Sequence, residues 1–267
     1  MGAHRDEARA VRAIHAALDA GVQLVDTADS YARDEAEFGH NERLIARALR
    51  TSAHGHAALV ATKAGHTRHG AGWDLDGRPA HLRAACEGSL RRLGVDRIDL
   101  LQLHRPDPRT PLEESVGALR DLRDKGKVRW IGLSNVDRDQ IRGARRIVEI
   151  AAVQNELSPR FPHPLHNGEL AACERHGMAF LPWSPFGGVG SADEVGSAAA
   201  VRAVAQAHGV SPHRVVLAWL LARSPAIIPI PGVSRPETAV DCARAPDLRL
   251  EPGEAAALAA GYAPSGP

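Results

Sequence analysis

The sequence predicts a single α/β domain, a parallel (β/α)8 barrel of the TIM type. Three observations carry that reading. Strand and helix patterns alternate seven times along the 267 residues, with no linker between them. The strand segments are short apolar runs, as expected of strands covered on both faces. No Gly-x-Gly-x-x-Gly follows the first strand, which disfavours a doubly wound dinucleotide fold, and a barrel of this kind usually takes about 250 residues.

The elements follow in order. Glu7 to Ala20 reads as an amphipathic helix through Val11, Ile14 and Leu18, stopped by Gly21. Val22, Leu24 and Val25 make a first buried strand that ends at Asp26. Asn41 reads as the N-cap of a helix through Arg50. Ala57 to Lys63 is a second strand. Residues 64–79, rich in Gly, His and Asp, read as a long surface loop. His81 to Gly94 is a helix, Ile98 to His104 a third strand and Pro111 to Lys125 a helix capped by Gly126. Lys127 to Ser134 is a fourth strand, Asp137 to Arg146 a short helix and Ala151 to Leu157 a fifth strand. A Pro-rich loop leads to a helix over Asn167–Gly177. Met178 to Pro185 is a sixth strand. A Gly-rich loop, Phe186 to Ser191, precedes a helix near Ala198–Gly209 and a capped helix over Ser211–Ala222. Ala226 to Gly232 is the seventh strand, and Pro236–Ala243 the last helix. The Ala-, Gly- and Pro-rich C-terminal end is expected to fray.

Composition removes several function classes. Lys and Arg number 33 against 32 Asp and Glu, so no basic face for nucleic acid is implied. The three cysteines, Cys86, Cys173 and Cys242, form no Cys-x-x-Cys, which argues against a disulfide framework or zinc site and for a reducing, cytoplasmic setting. The opening MGAHRDEARA has no apolar core, so no signal peptide is expected. No run reaches the ~18 apolar residues of a membrane span. His163 and His166 are three apart, but they lie among prolines with no third ligand near, so no metal site is expected.

Four polar side chains stand at or just past strand ends: Asp26, Tyr31, Lys63 and His104. In parallel α/β folds that rim is where sites are built. Singly, each has an ordinary reading: a turn former, a packed ring, a solvated amine, a hydrogen-bonded imidazole.

Their surroundings change this. VDTADSY (25–31), GHNERLIARAL (39–49), ATK (61–63), LLQLH (100–104), GKVRWIGLSN (126–135), VQNELS (153–158), WSP (183–185) and IPIPG (228–232) resemble the landmarks of the aldo-keto reductase family, in its order. The late motifs are most similar to bacterial members of the pyridoxal-reductase type. The resemblance implies reduction of a small aldehyde or ketone by hydride from a nicotinamide cofactor. It makes Tyr31 the proton donor, Lys63 the cation that eases loss of the phenol proton, Asp26 the carboxylate that holds Lys63, and His104 the group that orients the carbonyl. It places Ser134, Asn135 and Gln154 at the nicotinamide carboxamide and Trp183 against its ring. Ser184, Pro185, Phe186, Gly187, Gly188 and the glycine beyond would follow the pyrophosphate. Gly232, Ser234, Arg235, Thr238 and Asp241 would hold the adenosine end. Arg235 favours NADPH over NADH through a 2′-phosphate. Thr238 stands where the family commonly has Arg or His, and Cys242 where it has Asn. Residues 66–76 and 162–167 are expected to shape the substrate mouth.

One departure stands out. Nothing in MGAHRDEARA can serve as the family's opening hairpin or first barrel strand, leaving seven readable strands. The missing strand is then encoded upstream of Met1, replaced by a partner or rearranged segment, or lost in a relative that binds cofactor or serves a structural role without turnover.

Overall fold

The computed structural model describes residues 6–188 and 191–260. Its centre is a parallel sheet of six strands in the order β1 (Leu24–Asp26), β2 (Leu59–Ala64), β5 (Ile98–Leu103), β6 (Val128–Ser134), β7 (Ala152–Gln154) and β8 (Ala179–Phe180). This curved sheet is a partial barrel. The expected seventh strand is present as an extended segment joined to β8 by one bridge, Phe180 to Ile227. Phe180 N–H donates to Ala226 (2.8 Å) and Ile228 N–H to Phe180 (2.9 Å). Pro229 and Pro231 then remove the donors that a longer ladder needs.

Three expectations are corrected. Residues 64–79 are not simply loop: β3 (His66–His69) and β4 (Gly72–Leu75) pair antiparallel, His66 opposite Leu75. Gly70, with φ +56, lets the chain reverse between them. β1 is half-buried rather than buried, because among the described residues it pairs with β2 alone and lies at the sheet edge. Near the C-terminus Pro252–Ala260 forms a packed helix. Its Leu258 is fully buried, and Trp219 Nε1–H donates to the Ala255 carbonyl at 3.3 Å.

Ten helices are described, in chain order α1 (Glu7–Asp19), α2 (His40–Thr51), α3 (Pro79–Leu93), α4 (Leu112–Asp124), α5 (Arg138–Ala144), α6 (Glu169–His176), α7 (Ala199–His208), α8 (Pro212–Leu221), α9 (Pro236–Ala243) and α10 (Pro252–Ala260). Outward residues of the strands, such as Leu101, Leu103, Ile131, Leu133 and Val153, pack with Leu82, Val116, Leu119 and Ile141 of the helices in the main core. α1 packs against both α2 and α9. The helical layer therefore passes across the side where β1 and the 226–230 segment are not paired.

Asn41 is not the cap of α2. The helix starts at His40 after Gly39 in the left-handed region, and the Asn41 side chain instead accepts from Thr27 Oγ1 at 2.7 Å. This ties the loop after β1 to α2. Gly39 is constrained twice. Its φ is +76, and a Cβ there would lie 2.2 Å from Cδ of Arg92, whose Nε donates to the fully buried Glu42 carboxylate at 2.5 Å. Gly21, with φ +92, has open space around its Cα. Gly21→Ala is expected to cost about 1 kcal/mol in backbone strain alone. Gly39→Ala is expected to cost about 3 kcal/mol, because it also displaces Arg92 from a buried charge. Urea midpoints of the two variants measure the difference, and equal shifts would show that Arg92 adjusts freely.

Candidate active site

The alternation of a strand places every second side chain on one face. Toward the barrel interior, Ala61, Leu100, Ala152 and Leu181 form a small apolar cluster, with Leu24, Trp130, Ala179 and Ile230 against it. Two residues further along each strand the inward positions become Asp26, Lys63, Gln102, Gly132 and Gln154. A dry floor thus turns polar within one step of the pleat.

Lys63 is fully buried there. Its ammonium has three N–H groups and finds three acceptors: Asp26 Oδ2 at 2.5 Å, the Thr27 carbonyl at 2.8 Å and the Tyr31 phenol oxygen at 3.2 Å. Burial pulls the amine pKa down, yet the charges of Asp26 and Tyr31 and their hydrogen bonds together raise it above the ordinary lysine value. Lys63 is a cation at any ordinary pH.

Asp26 is held from its other oxygen by two amides. Gln154 Nε2 donates at 2.9 Å and Gln102 Nε2 at 3.3 Å. Gln102 has no expected role from sequence. Its only signal is an amide near the end of a mainly apolar strand, opposite a glycine. Gly132 is that glycine, and a Cβ on it would come within 2.8 Å of Gln102 Cγ.

His104 closes the group. Its ring meets Tyr31 edge-on with centroids 5.7 Å apart, and its Nδ1 lies 3.5 Å from the buried Ser30 hydroxyl. Burial first, then the nearby charges of Lys63, His66 and Arg105, push its pKa well below the ordinary imidazole value. It is neutral at neutral pH. Behind it Asp29 is fully buried, and burial followed by the Glu42 charge pushes its carboxyl well above the usual range. The Asp29 backbone anchors the Tyr31 loop, donating to the Lys63 carbonyl (3.3 Å) and accepting from Gly39 (2.7 Å).

The expected carboxamide-binding residues come together beside this group. Ser134 and Gln154 are buried at adjacent strand ends, and Asn135 N–H donates to the Gln154 carbonyl at 3.1 Å. Asn135 (φ +57) and Ser184 (φ +51) hold left-handed conformations without being glycine, a strain that clusters at functional turns. The Asn135 amide donates to the His104 carbonyl (2.9 Å) and the Ser134 hydroxyl (3.0 Å), and its oxygen accepts from Arg105 (2.9 Å). Trp183 is half-buried, with its indole N–H enclosed and unpartnered. Pro185 and Phe186 are buried, and Gly187 (φ +90) and Gly188 (φ +106) follow. The next glycine, Gly190, lies outside the described residues.

The adenosine-side residues occupy the approach to α9 and the helix itself. Gly232, Ser234 and Arg235 are exposed, and no acid pairs with Arg235 among the described residues. Thr238 is half-buried. The Asp241 carboxylate is engaged within the protein, accepting from the Ser211 hydroxyl and from Arg214 Nη2. Of the expected mouth, the 66–75 hairpin delivers His66 onto the site: it stacks on His104 with centroids 3.9 Å apart.

Burial, then the charges of Arg105 and Lys63, bring the His66 pKa down to about 4. Between the unfolded value near 6.5 and about 4 the unfolded chain binds a proton that the native chain refuses, so stability falls as pH drops through that window. His66→Phe should show a smaller loss of Tm between pH 7 and pH 4.5 than the wild type. An equal loss would assign the effect to His104 or other groups.

The model of the aldo/keto reductase family matches residues 2–262. The chain is similar to the 6-dehydroglucose reductase of Novosphingobium aromaticivorans, 38% identical over 237 residues, 85% of this chain and 77% of that protein. Among solved structures it resembles a glycerol dehydrogenase of Gluconobacter oxydans, with TM-score 0.83, 28% identity, and 99% and 90% of the two chains covered. It also resembles an aldo-keto reductase of Klebsiella pneumoniae solved in complex with NADPH, with TM-score 0.82, 28% identity, and 98% and 88% covered. The chain belongs to the aldo/keto reductase family of oxidoreductases.

Proposed function

We propose that the protein reduces an aldehyde or ketone to an alcohol with NADPH, with Tyr31 as the proton donor. The observation that carries the reading is the unbroken contact from the Asp26 carboxylate through the Lys63 ammonium to the Tyr31 phenol, 2.5 and 3.2 Å.

The residues fit the cofactor. The half-buried indole of Trp183 offers a flat face. Ser134, Asn135 and Gln154 supply the mixed donors and acceptors that a carboxamide needs. Gly188 leaves open space for close backbone approach, and Arg235, exposed and without an acidic partner among the described residues, suits a 2′-phosphate, which supports NADPH over NADH. When bound, the cofactor supplies the hydride.

The chain's own groups handle the proton. Tyr31 gives its hydrogen to the carbonyl oxygen as charge builds there. The phenolate left behind faces a fixed ammonium 3.2 Å away, so its charge is met without solvent rearrangement. His104, being neutral, donates from one nitrogen. The tautomer in which Nδ1 accepts from the Ser30 hydroxyl leaves the proton on Nε2 to point the carbonyl. Asp26, held by three donors, keeps the ammonium from turning away from the phenol.

Tyr31→Phe should lower kcat by at least about 10²-fold, in the range of a lost general acid, while NADPH still quenches tryptophan fluorescence with a similar Kd. Wild-type turnover in that variant would refute the proton donor. Gln102→Leu should lower kcat about 3- to 10-fold with little change in NADPH affinity, because it loosens Asp26 without touching the cofactor. Unchanged kcat across the pH range would show that Gln154 holds Asp26 alone.

A further inference from the structure

An imidazole that points a carbonyl must hold its plane. The backbone of His104 is fixed, its N–H donating to the Ala64 carbonyl (2.8 Å) and its carbonyl accepting from Asn135 (2.9 Å). Its ring is only weakly fixed by hydrogen bonding, because the Ser30 hydroxyl lies 3.5 Å from Nδ1, at the outer limit of such a bond. Another imidazole meets the ring broadside. His66 stacks on it with centroids 3.9 Å apart and planes 25° from parallel, while Tyr31 meets it edge-on at 5.7 Å.

His66 is itself held by the β3–β4 hairpin. Its Nδ1 is buried and has no hydrogen-bond partner among the described residues. Trp73 meets its ring edge-on at 5.4 Å, and Arg68, across the hairpin from Trp73, lays its guanidinium 4.1 Å from the indole centroid. Arg68 is buried and donates to the Arg33 carbonyl, and the Gly70 carbonyl accepts from Glu35 N–H at 3.1 Å. Arg33 and Glu35 lie on the loop that carries Tyr31. The contacts close a circuit. It runs from Tyr31 along its loop to Arg68, through Trp73 and His66 to His104, and back to the Tyr31 ring. A two-stranded hairpin is marginal alone, and this one is anchored at both ends of the chemistry.

Resting on the carbonyl-reductase reading, we infer that His66 is a positioning residue for the reaction: its ring sets the plane of His104, and the hairpin keeps that plane in register with the loop of the proton donor. Both imidazoles are neutral at neutral pH, so they stack without charge repulsion. A planar ring at position 66 is the requirement, and a branched aliphatic side chain there would let His104 tilt.

The test follows NADPH oxidation with 4-nitrobenzaldehyde and with propanal at pH 7, well below the Tm. His66→Leu should lower kcat about 10-fold with both carbonyls, the scale of a misaligned catalytic group held by one ring contact. KM and the NADPH Kd from tryptophan quenching should stay within about threefold, because binding is not what the ring supplies. His66→Phe should restore kcat to within about threefold of the wild type, since a flat ring stacks again. Trp73→Ala, at an exposed position that should fold if His66→Leu does not, should lower kcat about threefold by freeing His66. Unchanged kcat in His66→Leu, an equal kcat loss in His66→Phe, or unchanged kcat in Trp73→Ala would each overturn the inference. Each would leave the reductase reading intact if Tyr31→Phe is inactive. No turnover of either carbonyl by the wild type would overturn that reading and this inference with it.

Discussion

The site depends on one buried ammonium. Lys63 has no solvent to hydrate it, and an unpaired charge in that position would not stay charged. It is kept by three oxygens, one from each of three different positions on or just after β1. Remove the strand register that brings β1 beside β2 and the ammonium loses all of them at once. The same register sets the phenol of Tyr31 at hydrogen-bonding distance from the amine. Fold and chemistry therefore share a single electrostatic requirement, and the surrounding amides of Gln102 and Gln154 serve it by fixing the counter-charge.

Much of this was legible in the sequence because strand ends are easy to locate. An apolar run followed by a lone polar residue marks the rim, so Asp26, Lys63 and His104 stand out, and the family resemblance added Tyr31. Gln102 and Gly132 were hidden because their meaning is relational. An amide inside a strand and a glycine inside the next one make sense only when the two are adjacent. The β3–β4 hairpin was missed because Gly and His are weak strand formers, and its stability comes from tertiary contacts such as Arg68 on Trp73. The helix at 252–260 was missed because an Ala- and Gly-rich segment has little periodicity, and Leu258 supplies the one anchoring side chain. The end of the seventh strand was overdrawn, since two prolines forbid a ladder that the apolar pattern alone allows.

The two layers of the molecule differ in continuity. The inner sheet has an edge at β1, and the outer layer crosses that edge through α1, which packs on α2 and α9. Ala13 and Leu18 are the buried contacts of α1, and the Glu7–Arg47 pair at 2.7 Å adds a surface link to α2. β1 is therefore held on one side by β2, and just past its end by the Thr27–Asn41 bond to α2.

That bracing has a mechanical consequence. The carboxylate that balances the buried ammonium rides on a strand that, among the described residues, is paired on one side only, so an edge rib of the barrel carries its position-sensitive charge. Gentle loosening of the molecule would reach this rib first, and turnover would fade while the far side of the sheet, from β5 to β7, still held its shape.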